Sequence, residues 1–478
     1  MNIITRLVIA SALPSVLSLS ASALDVTCSS GSLGGLENVD RKETAITLKG
    51  EADEAALSYI GAELQSLVSL DMSECRLVGS IPAGTFAGSH LAEVVFPQSG
   101  DLTIEDFAFA GTRLQSVDIP ANVSAIGTGA FAGCPLLETV IIRGASSAGF
   151  AFANCPELKK VMLAGVSEIA EGDYADCPAL TAVEGSAACK SVGASAFRAD
   201  VSLKNFDFGK ELHFIGASAY AGSGITKVSL DTSTALVAVG EMAFSGCAEL
   251  ESLVFPDKAL IGRGALIGCP ALGYVSMGCA NNVPDYFALG NSSLSSIDLP
   301  SETASIGRYA LKDLSSLSSI TLPPSIVSLG DHAMAGMTSL ESITVEAAAS
   351  VPSLGDDVFE EVDCRNVRVY VSDNLYDDYI SAPVWQDFQI VGKAGVEQPG
   401  ALSLQSVTCR FNGPVLEVES CIGDIAALEL FDTAGRLLIK MKCAGRVAYA
   451  DTSSTDTDIF IVRCTMASSA VAIFKLAR

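Results

Sequence analysis

One pattern recurs along most of the chain at a fixed spacing. The segments Ile126–Ile142, Val239–Phe255 and Ile261–Met277 each carry a bulky residue after a small one, then Gly-Cys, then a short apolar stretch. We term the bulky residue the anchor. The anchors are Phe86, Phe109, Phe131, Phe152, Tyr174, Phe197, Tyr220, Phe244, Leu266, Leu289, Leu311, Met334 and Phe359. A spacing of about 23 residues, kept over this many copies, predicts a solenoid in which each coil stacks on its neighbours.

The residues of each repeat suit one coil of such a solenoid. Ile126 supplies an inward apolar side chain, and Gly127 allows a turn that a Cβ would obstruct. Val140 and Ile142 are two residues apart, so they face the same way along a strand. A proline often ends this strand because it has no N–H to donate. We therefore expect a mainly β repeat solenoid with capped ends, followed by a small all-β C-terminal domain.

Composition limits the classes of partner. Hydrophobic residues make up 49% of the 478 residues and charged residues 18%, which is too apolar for a disordered chain. No apolar run after the N-terminus approaches the roughly 20 residues of a membrane-spanning helix, so we expect no such segment in the mature chain. The net charge of −26 repels phosphates and anionic lipid, which excludes nucleic acid and membrane surfaces as primary partners.

The N-terminus has the features of a secretory signal. Arg6 provides the positive region, Leu7–Leu19 is a short apolar stretch, and Ala21-Ser22-Ala23 fits a small-x-small cleavage site. We expect residues 1–23 to be removed and the protein to be secreted or held at the outer cell surface. The alternative is an N-terminal anchor helix, which Pro14 would interrupt.

The repeats resemble those of the BspA-like, or type 5, leucine-rich-repeat family. The shared pattern is an Ile-Gly turn, an Ala-Phe pair, Gly-Cys, and a Leu-x-x-Val-x-Leu-Pro strand, and it extends over about residues 79–392. The resemblance implies a bacterial protein on the surface or outside the cell. It also implies adhesion to host or bacterial proteins.

The last part of the chain resembles the C-terminal sorting domain of type IX secretion substrates. Phe431–Arg436 matches its Asp-x-x-Gly-Arg turn, and Lys475–Arg478 matches its tail. Asp458-Ile459-Phe460 stands where a Gly-x-Tyr is usual. An accessory β-sandwich is the alternative for this part of the chain.

These patterns predict a domain order. Leu57, Ile60, Leu64 and Leu67 lie at helical spacing, so the N-terminal cap should contain an amphipathic helix. The aromatic cluster around Trp385 suits a C-terminal cap, with a ligand-stacking platform as the alternative. The expected segments are a signal peptide at 1–23, an N-terminal cap at 24–78, the solenoid at 79–366, a C-terminal cap at 367–392, a linker at 393–400 and the small β-sandwich at 401–478.

Some of the 14 cysteines follow the repeat. Five of them occupy one repeat position and should form a buried column of free thiols: Cys134, Cys155, Cys177, Cys247 and Cys269. Adjacent pairs in that column could oxidise. Four others lie in the C-terminal module, where one or two disulfides are an open alternative: Cys409, Cys421, Cys443 and Cys464.

The sequence contains no pattern typical of an enzyme. His90, His213 and His332 fall in different repeats, so they cannot share a metal or form a triad. No nucleotide-binding fingerprint is present and acidic residues are scattered. We therefore expect no catalytic residues, no metal and no cofactor.

The function we expect is non-catalytic recognition of an extracellular protein. Glycan binding in the service of nutrient uptake is the alternative. Outward positions of the strands are small and hydroxylic toward the C-terminal end of the array, whereas the middle carries larger side chains. These larger residues form the expected partner-binding face, unless they are ordinary surface variation: Ile141, Lys160, Met162, Val254 and Tyr274.

Overall fold

The structure is a computed structural model that describes residues 23–256, 259–278, 281–347, 349–392, 407–412, 415–420, 424–431, 437–453, 455, 459–466 and 471–477. The expected signal peptide, apart from Ala23, and the expected linker at 393–400 lie outside these residues. The described residues divide after Val367 into two compact units, here the solenoid unit and the C-terminal unit.

The solenoid unit is built from two rows of short parallel strands, so the expected β solenoid is confirmed. The long-strand row contains Leu24–Cys28, Ala45–Asp53, Ser69–Val78, Glu93–Val95, Ser116–Ile119, Thr139–Arg143, Lys160–Ala164, Ala182–Glu184, Lys227–Ser229, Ser252–Val254, Tyr274–Ser276, Ser296–Asp298, Ser319–Leu322 and Ser342–Val345. The short-strand row contains Ser80–Ile81, Leu102–Ile104, Val123–Ile126, Ser146–Ser147, Glu168–Ile169, Ser191–Val192, Phe214–Ile215, Ala238–Val239, Leu260–Ile261, Asn282–Val283, Ser305–Ile306, Ser328–Leu329 and Ser353–Leu354.

Parallel pairing between successive coils keeps equivalent residues side by side. Val140 pairs with Val117 on one side and Val161 on the other, and all three are buried. The strand alternation therefore sends the same repeat position into the core coil after coil. Because no coil can bury that position alone, the stack of coils forms one continuous core.

A Cβ at the Ile-Gly turn would be obstructed, as expected, and the obstacle is the backbone of the preceding coil. Gly127 has no positive φ, so its backbone needs no special conformation. A Cβ on Gly127 would instead lie 2.4 Å from the backbone nitrogen of Asp106 in the preceding coil. Gly216 meets Ala194 in the same way. Glycine is thus required because adjacent coils touch through their backbones at this point.

The anchors form a stack of rings through the core. Phe131 and Phe244 are fully buried, which confirms the expected position of the anchors. Ring centroids of Phe109 and Phe131 are 5.1 Å apart with planes only 2° from parallel, and Phe152 follows at 5.2 Å. The same near-parallel stacking continues as far as Phe244. Each ring from Phe109 to Tyr220 therefore packs on the rings of both neighbouring coils.

One expected anchor was wrong. Leu289 is half-buried, and the anchor position in its coil is taken by Ala288, whose N–H donates to Ala310 O just as Leu311 N–H donates to Ala333 O. The usual small-then-bulky order is reversed here. Phe287 occupies the small position, and its ring packs 6.1 Å from that of Phe255. The volume that the anchor normally fills is thus supplied by the preceding residue.

Residues 24–78, the expected N-terminal cap, contain the expected helix in a shorter form. The helix spans Glu54–Glu63, and Asp53 caps it by accepting the N–H of Ala56 at 3.0 Å. Leu57 and Ile60 are buried, as the helical spacing predicts. The parallel strands Leu24–Cys28 and Ala45–Asp53 precede the helix and extend the long-strand row, which the sequence analysis did not predict.

The C-terminal unit begins with a strand, a helix and a second parallel strand: Arg368–Val371, Tyr376–Ser381 and Gln389–Gly392. Trp385 is 1% exposed between Tyr379 and Phe388, so it packs in a core and offers no platform to a ligand.

Short 3-10 helices occur in both units. They are Leu36–Asn38, Ser186–Ala188, Cys364–Asn366, Asp373–Leu375 and Trp385–Asp387.

Two antiparallel sheets complete this unit. One contains Val407–Asn412, Val415–Ser420 and Val447–Asp451, and the other contains Leu437–Gly445, Ile425–Phe431, Ile459–Met466 and Val471–Ala477. Their core includes Leu416, Leu428 and Val462. Cys443 and Cys464 are free thiols. The side chains of Cys409 and Cys421 lie outside the described residues.

Candidate interaction surfaces

Ile141 does not belong to an exposed face. It is only 5% exposed although its position in the strand points outward. Asp118 and Met162 flank it in register, and Arg143 forms a two-bond ion pair with Asp118 at 3.0 Å. Because these longer side chains surround the isoleucine on the same face, Ile141 offers no surface to a partner.

The four other expected face residues are half-buried and fall into two groups. Lys160 and Met162 share one strand of one sheet. Val254 and Tyr274 lie on adjacent strands of another sheet. The coil between the two sheets contains no strand at residues 204–209. The structure therefore brings these residues together only within each pair.

The polar ends of this face are already engaged within the chain. Lys160 Nζ lies 2.7 Å from Glu184 Oε1. The Tyr274 hydroxyl donates to Asp298 Oδ2 at 2.6 Å, and this hydrogen bond raises the pKa of Tyr274. A partner would have to compete with these contacts, so the long-strand face is less open than its sequence suggests.

A group of exposed apolar side chains lies on or next to the short-strand row. Phe214 is 50% exposed, Val237 48% and Leu260 72%, and they occupy three successive coils. Phe214 and Leu260 stand in register on either side of Ala238. The equivalent positions elsewhere are Ser191, Ser305 and Ser328. We term Phe214, Val237 and Leu260 the short-strand patch.

Sequence reasoning missed this patch because it considered only the longer strands. Each strand of the short-strand row has few residues, so alternation is hard to recognise. One repeat position could have revealed the patch. It is the residue directly before the isoleucine, or its equivalent, of each Ile-Gly turn. That residue is serine in many repeats but phenylalanine at 214 and leucine at 260.

A second exposed feature follows the Ile-Gly turn, at the residue two positions before the anchor site. The rings of Tyr286, Tyr309 and His332 stack there in three successive coils at 5.2 and 4.7 Å. The guanidinium carbon of Arg263 lies 4.5 Å from the centre of the Tyr286 ring. His332 Nδ1 is 3.2 Å from Glu360. The ring faces in this stack are covered by one another and by the cation, which leaves mainly edges exposed.

The thiol column is buried and chemically protected. Cys134, Cys155, Cys177, Cys247 and Cys269 are all free and buried, as expected. Cys247 Sγ donates to the carbonyl of Tyr220 at 3.1 Å, and Cys269 Sγ donates to that of Phe244 at 3.1 Å. Burial raises the pKa of the Cys247 thiol to about 11. The column therefore satisfies core carbonyls and supplies little reactive thiolate.

No metal site is found among the described side chains. No group of three or more His, Cys, Asp or Glu side chains there could hold a metal ion. No helix among the described residues is long and apolar enough to cross a membrane.

The repeats match a known family model. The model of the BspA type leucine rich repeat region matches in six copies, over residues 64–181, 167–287 and 281–376. The chain belongs to the BspA-type leucine-rich-repeat family. The BspA-type match ends within the C-terminal unit, so the likeness of the last residues to a sorting domain stays a prediction.

The chain is similar to solved structures of leucine-rich repeat proteins. A leucine-rich repeat protein from Bacteroides ovatus is 22% identical, with a TM-score of 0.50 over 77% of this chain and 91% of that one. A leucine-rich repeat protein from Eubacterium ventriosum is 17% identical, with a TM-score of 0.37 over 71% and 89%. A leucine rich cell surface protein from Faecalibacterium prausnitzii is 20% identical, with a TM-score of 0.28 over 57% and 88%. No curated protein sequence matches the chain.

Proposed function

We propose that this BspA-type chain is a non-catalytic recognition protein that captures another protein outside the cell. The observation that carries the proposal is the short-strand patch. Phe214, Val237 and Leu260 expose large apolar side chains in three successive coils, and the positions of Phe214 and Leu260 carry serine in other coils. Contiguous apolar surface of this kind marks interaction sites more often than single exposed residues do.

The surroundings of the patch suit a protein partner. Its backbone is fixed by parallel pairing between coils, so the three side chains are held in place before binding. A preorganised surface loses less entropy on association. The net charge of −26 favours a neutral or basic partner over an acidic one.

The long-strand face remains a second candidate surface, without Ile141. Lys160 with Met162, and Val254 with Tyr274, are half-buried and therefore still reachable. Their ion pair and hydrogen bond within the chain reduce what they can offer to a partner.

Surface plasmon resonance can separate the two faces, with a partner isolated by using the mature chain as bait. A triple variant with serine at Phe214, Val237 and Leu260 should keep its thermal unfolding profile and lose affinity. The matched control on the same row, with alanine at Ser305, Ser328 and Ser353, should bind normally. Unchanged binding by the first variant, with loss in a Lys160→Ala, Met162→Ala, Tyr274→Ala variant, would move the site to the long-strand face.

Export is the second part of the proposal. The first strand begins at Leu24, the residue expected to follow signal cleavage. N-terminal sequencing of protein from the native host should start at Leu24, and a start at Met1 would contradict export by this signal. Loss of residues 401–478 from the exported protein would support a sorting role for that part of the chain.

A further inference from the structure

A line of alternating rings and glycines runs along the N-terminal half of the solenoid unit. Phe107, Gly129, Phe150 and Gly172 occupy the same repeat position in four successive coils, two residues before the anchor. All four have positive φ, from 54° to 62°. Glycine adopts this conformation readily, whereas phenylalanine does so at a cost in backbone strain. The two phenylalanines are held there by the same turn that the glycines form.

Each ring lies over the glycine of the next coil. A Cβ on Gly129 would be 2.6 Å from Cε1 of Phe107, and one on Gly172 would be 2.2 Å from Cε1 of Phe150. Both glycines are buried, while Phe107 stays 52% exposed and Phe150 41% exposed. The absence of a side chain on every second coil thus provides a seat for each ring and leaves much of that ring open to solvent.

The rings of Phe107 and Phe150 lie on one line along the solenoid, and the stacking of the anchors sets the distance between them. They belong to coils that are two apart, and adjacent anchor rings in these coils are separated by 5.1 and 5.2 Å. The rings are therefore about 10 Å apart along the solenoid, which is twice the spacing of paired strands.

A groove of mixed polar and apolar lining shares three coils with the two rings. It has a volume of about 360 Å³ and crosses four coils at the Ile-Gly turn, from Ala83 to Ala148. Thr103, Asp106 and Ser146 line it. Asp106 Oδ1 accepts the N–H of Thr128 at 2.7 Å, which fixes the carboxylate in the groove lining. Hydroxyl and carboxylate groups next to open rings form a surface of mixed chemistry.

We propose that this line and its groove bind an extended β-1,4-linked polysaccharide. In such a ribbon each sugar is turned over relative to the one before, so every second sugar presents the same apolar C–H face. Two rings separated by one disaccharide unit can therefore stack on the same face of the chain. The hydroxyl groups at the ribbon's edge then meet the polar groups of the groove.

The aromatic residues of the two surface features described above do not fit this ligand. Tyr286, Tyr309 and His332 cover each other's faces, so no sugar can stack between them. Phe214 lies on a different line, with Leu260 two coils away. The polysaccharide site is thus separate from the short-strand patch and does not depend on the protein-binding proposal.

Isothermal titration calorimetry on the full chain with cellohexaose and chitohexaose tests the site. We expect at least one of these linear β-1,4 hexasaccharides to bind and maltohexaose, whose α-1,4 linkage curls the chain, to bind weakly or not at all. Phe107→Ala and Phe150→Ala should each weaken binding about tenfold, and the double variant should abolish it. Phe214→Ala is the matched control and should bind as the parent does.

Three results would overturn the site: no binding of either β-1,4 hexasaccharide by the parent chain, equal binding of maltohexaose, or unchanged binding by the double variant. Thermal unfolding of each variant shows whether the solenoid is intact. If the double alanine variant were destabilised, a second variant keeps the test decisive. The single variant Phe150→Tyr keeps an aromatic face and should bind sugar as the parent chain does. The serine variant of the short-strand patch should bind sugar normally, so the two proposals can fail separately.

Discussion

Asp200 and Asn291 occupy the same repeat position and accept the same hydrogen bond from the coil before them. The N–H of Cys177 donates to Asp200 Oδ1 at 2.8 Å, and the N–H of Cys269 donates to Asn291 Oδ1 at 2.6 Å. The Asn291 amide nitrogen also donates to the carbonyl of Leu266 at 2.8 Å. Asp200 Oδ2 has no hydrogen-bond partner among the described residues. Both polar atoms of the Asn291 side chain therefore have hydrogen-bond partners, whereas Asp200 has a partner for only one of its two oxygens.

Asp200→Asn should therefore stabilise the solenoid unit at neutral and alkaline pH. The new amide nitrogen can donate to the carbonyl of Tyr174, as Asn291 does to Leu266, and no charge has to be buried. The gain at pH 8.5 should be on the order of a few kcal/mol. Urea unfolding followed by circular dichroism measures it, with Asp106→Asn on the surface as the control. A variant less stable than the parent at pH 8.5 would contradict this account.

Asp200 should also make the stability of the solenoid unit depend on pH. Burial raises the pKa of Asp200 from 3.8 to about 8. The folded state holds the proton more tightly than the unfolded state, so its stability is complete below about pH 4 and is lost as pH rises toward about 8. Urea midpoints at intervals across that range should fall for the parent chain and fall less for Asp200→Asn. Burial also raises the pKa of Asp173, so some slope should remain.

Truncation of an anchor should be far more costly than truncation of an exposed ring. Phe131 is fully buried between two other rings, so Phe131→Ala should lower the free energy of unfolding by about 3–5 kcal/mol. Phe107 is 52% exposed, and Phe107→Ala should cost under about 1 kcal/mol. Chemical denaturation compares the two. Equal costs would show that the assignment of inward and outward positions is wrong.

A single methyl group at the Ile-Gly turn should destabilise the stack. In Gly127→Ala the Cβ would lie 2.4 Å from a backbone nitrogen that cannot move aside without separating two coils. The cost should be at least about 1–3 kcal/mol. Gly273→Ala is the control, because its Cβ would meet only Glu251 O at 3.8 Å and its change should stay within about 0.5 kcal/mol. Thermal unfolding of both variants checks the difference.

The corrected register of one coil can be tested by a pair of leucines. Leu311 is an anchor and fully buried, so Leu311→Ala should cost about 2–5 kcal/mol. Leu289 is half-buried beside the true anchor position, and Leu289→Ala should cost about 1 kcal/mol or less. Denaturant midpoints decide between the registers, since similar losses at both positions would restore Leu289 as an anchor.

Periodicity was enough to predict the coils, the buried anchors and the thiol column. These features depend on residues that repeat at one position, and a buried position tolerates few residue types. The prediction that Leu289 is an anchor was wrong because the order of small and bulky residues is reversed at Phe287 and Ala288. Periodicity places a repeat position but does not detect a local exchange between adjacent residues.

The surfaces were harder to predict because exposure depends on neighbouring coils. Ile141 points outward by strand alternation, yet the Arg143–Asp118 ion pair and Met162 crowd around it. Asp118 and Met162 belong to the neighbouring strands, which alternation along a single strand does not take into account. The exposed rings of Phe107 and Phe150 lie in turns, where neither strand nor helix spacing indicates the direction of a side chain.

The position of the single tryptophan gives the two compact units separate optical signals. Trp385 is buried in the C-terminal unit, so intrinsic tryptophan fluorescence reports on that unit alone. Tyr174 and Tyr220 are fixed within the ring stack of the solenoid unit, which makes their near-ultraviolet circular dichroism sensitive to the order of the coils. Heating the protein while recording both signals would show, without labels, which unit loses its packing first.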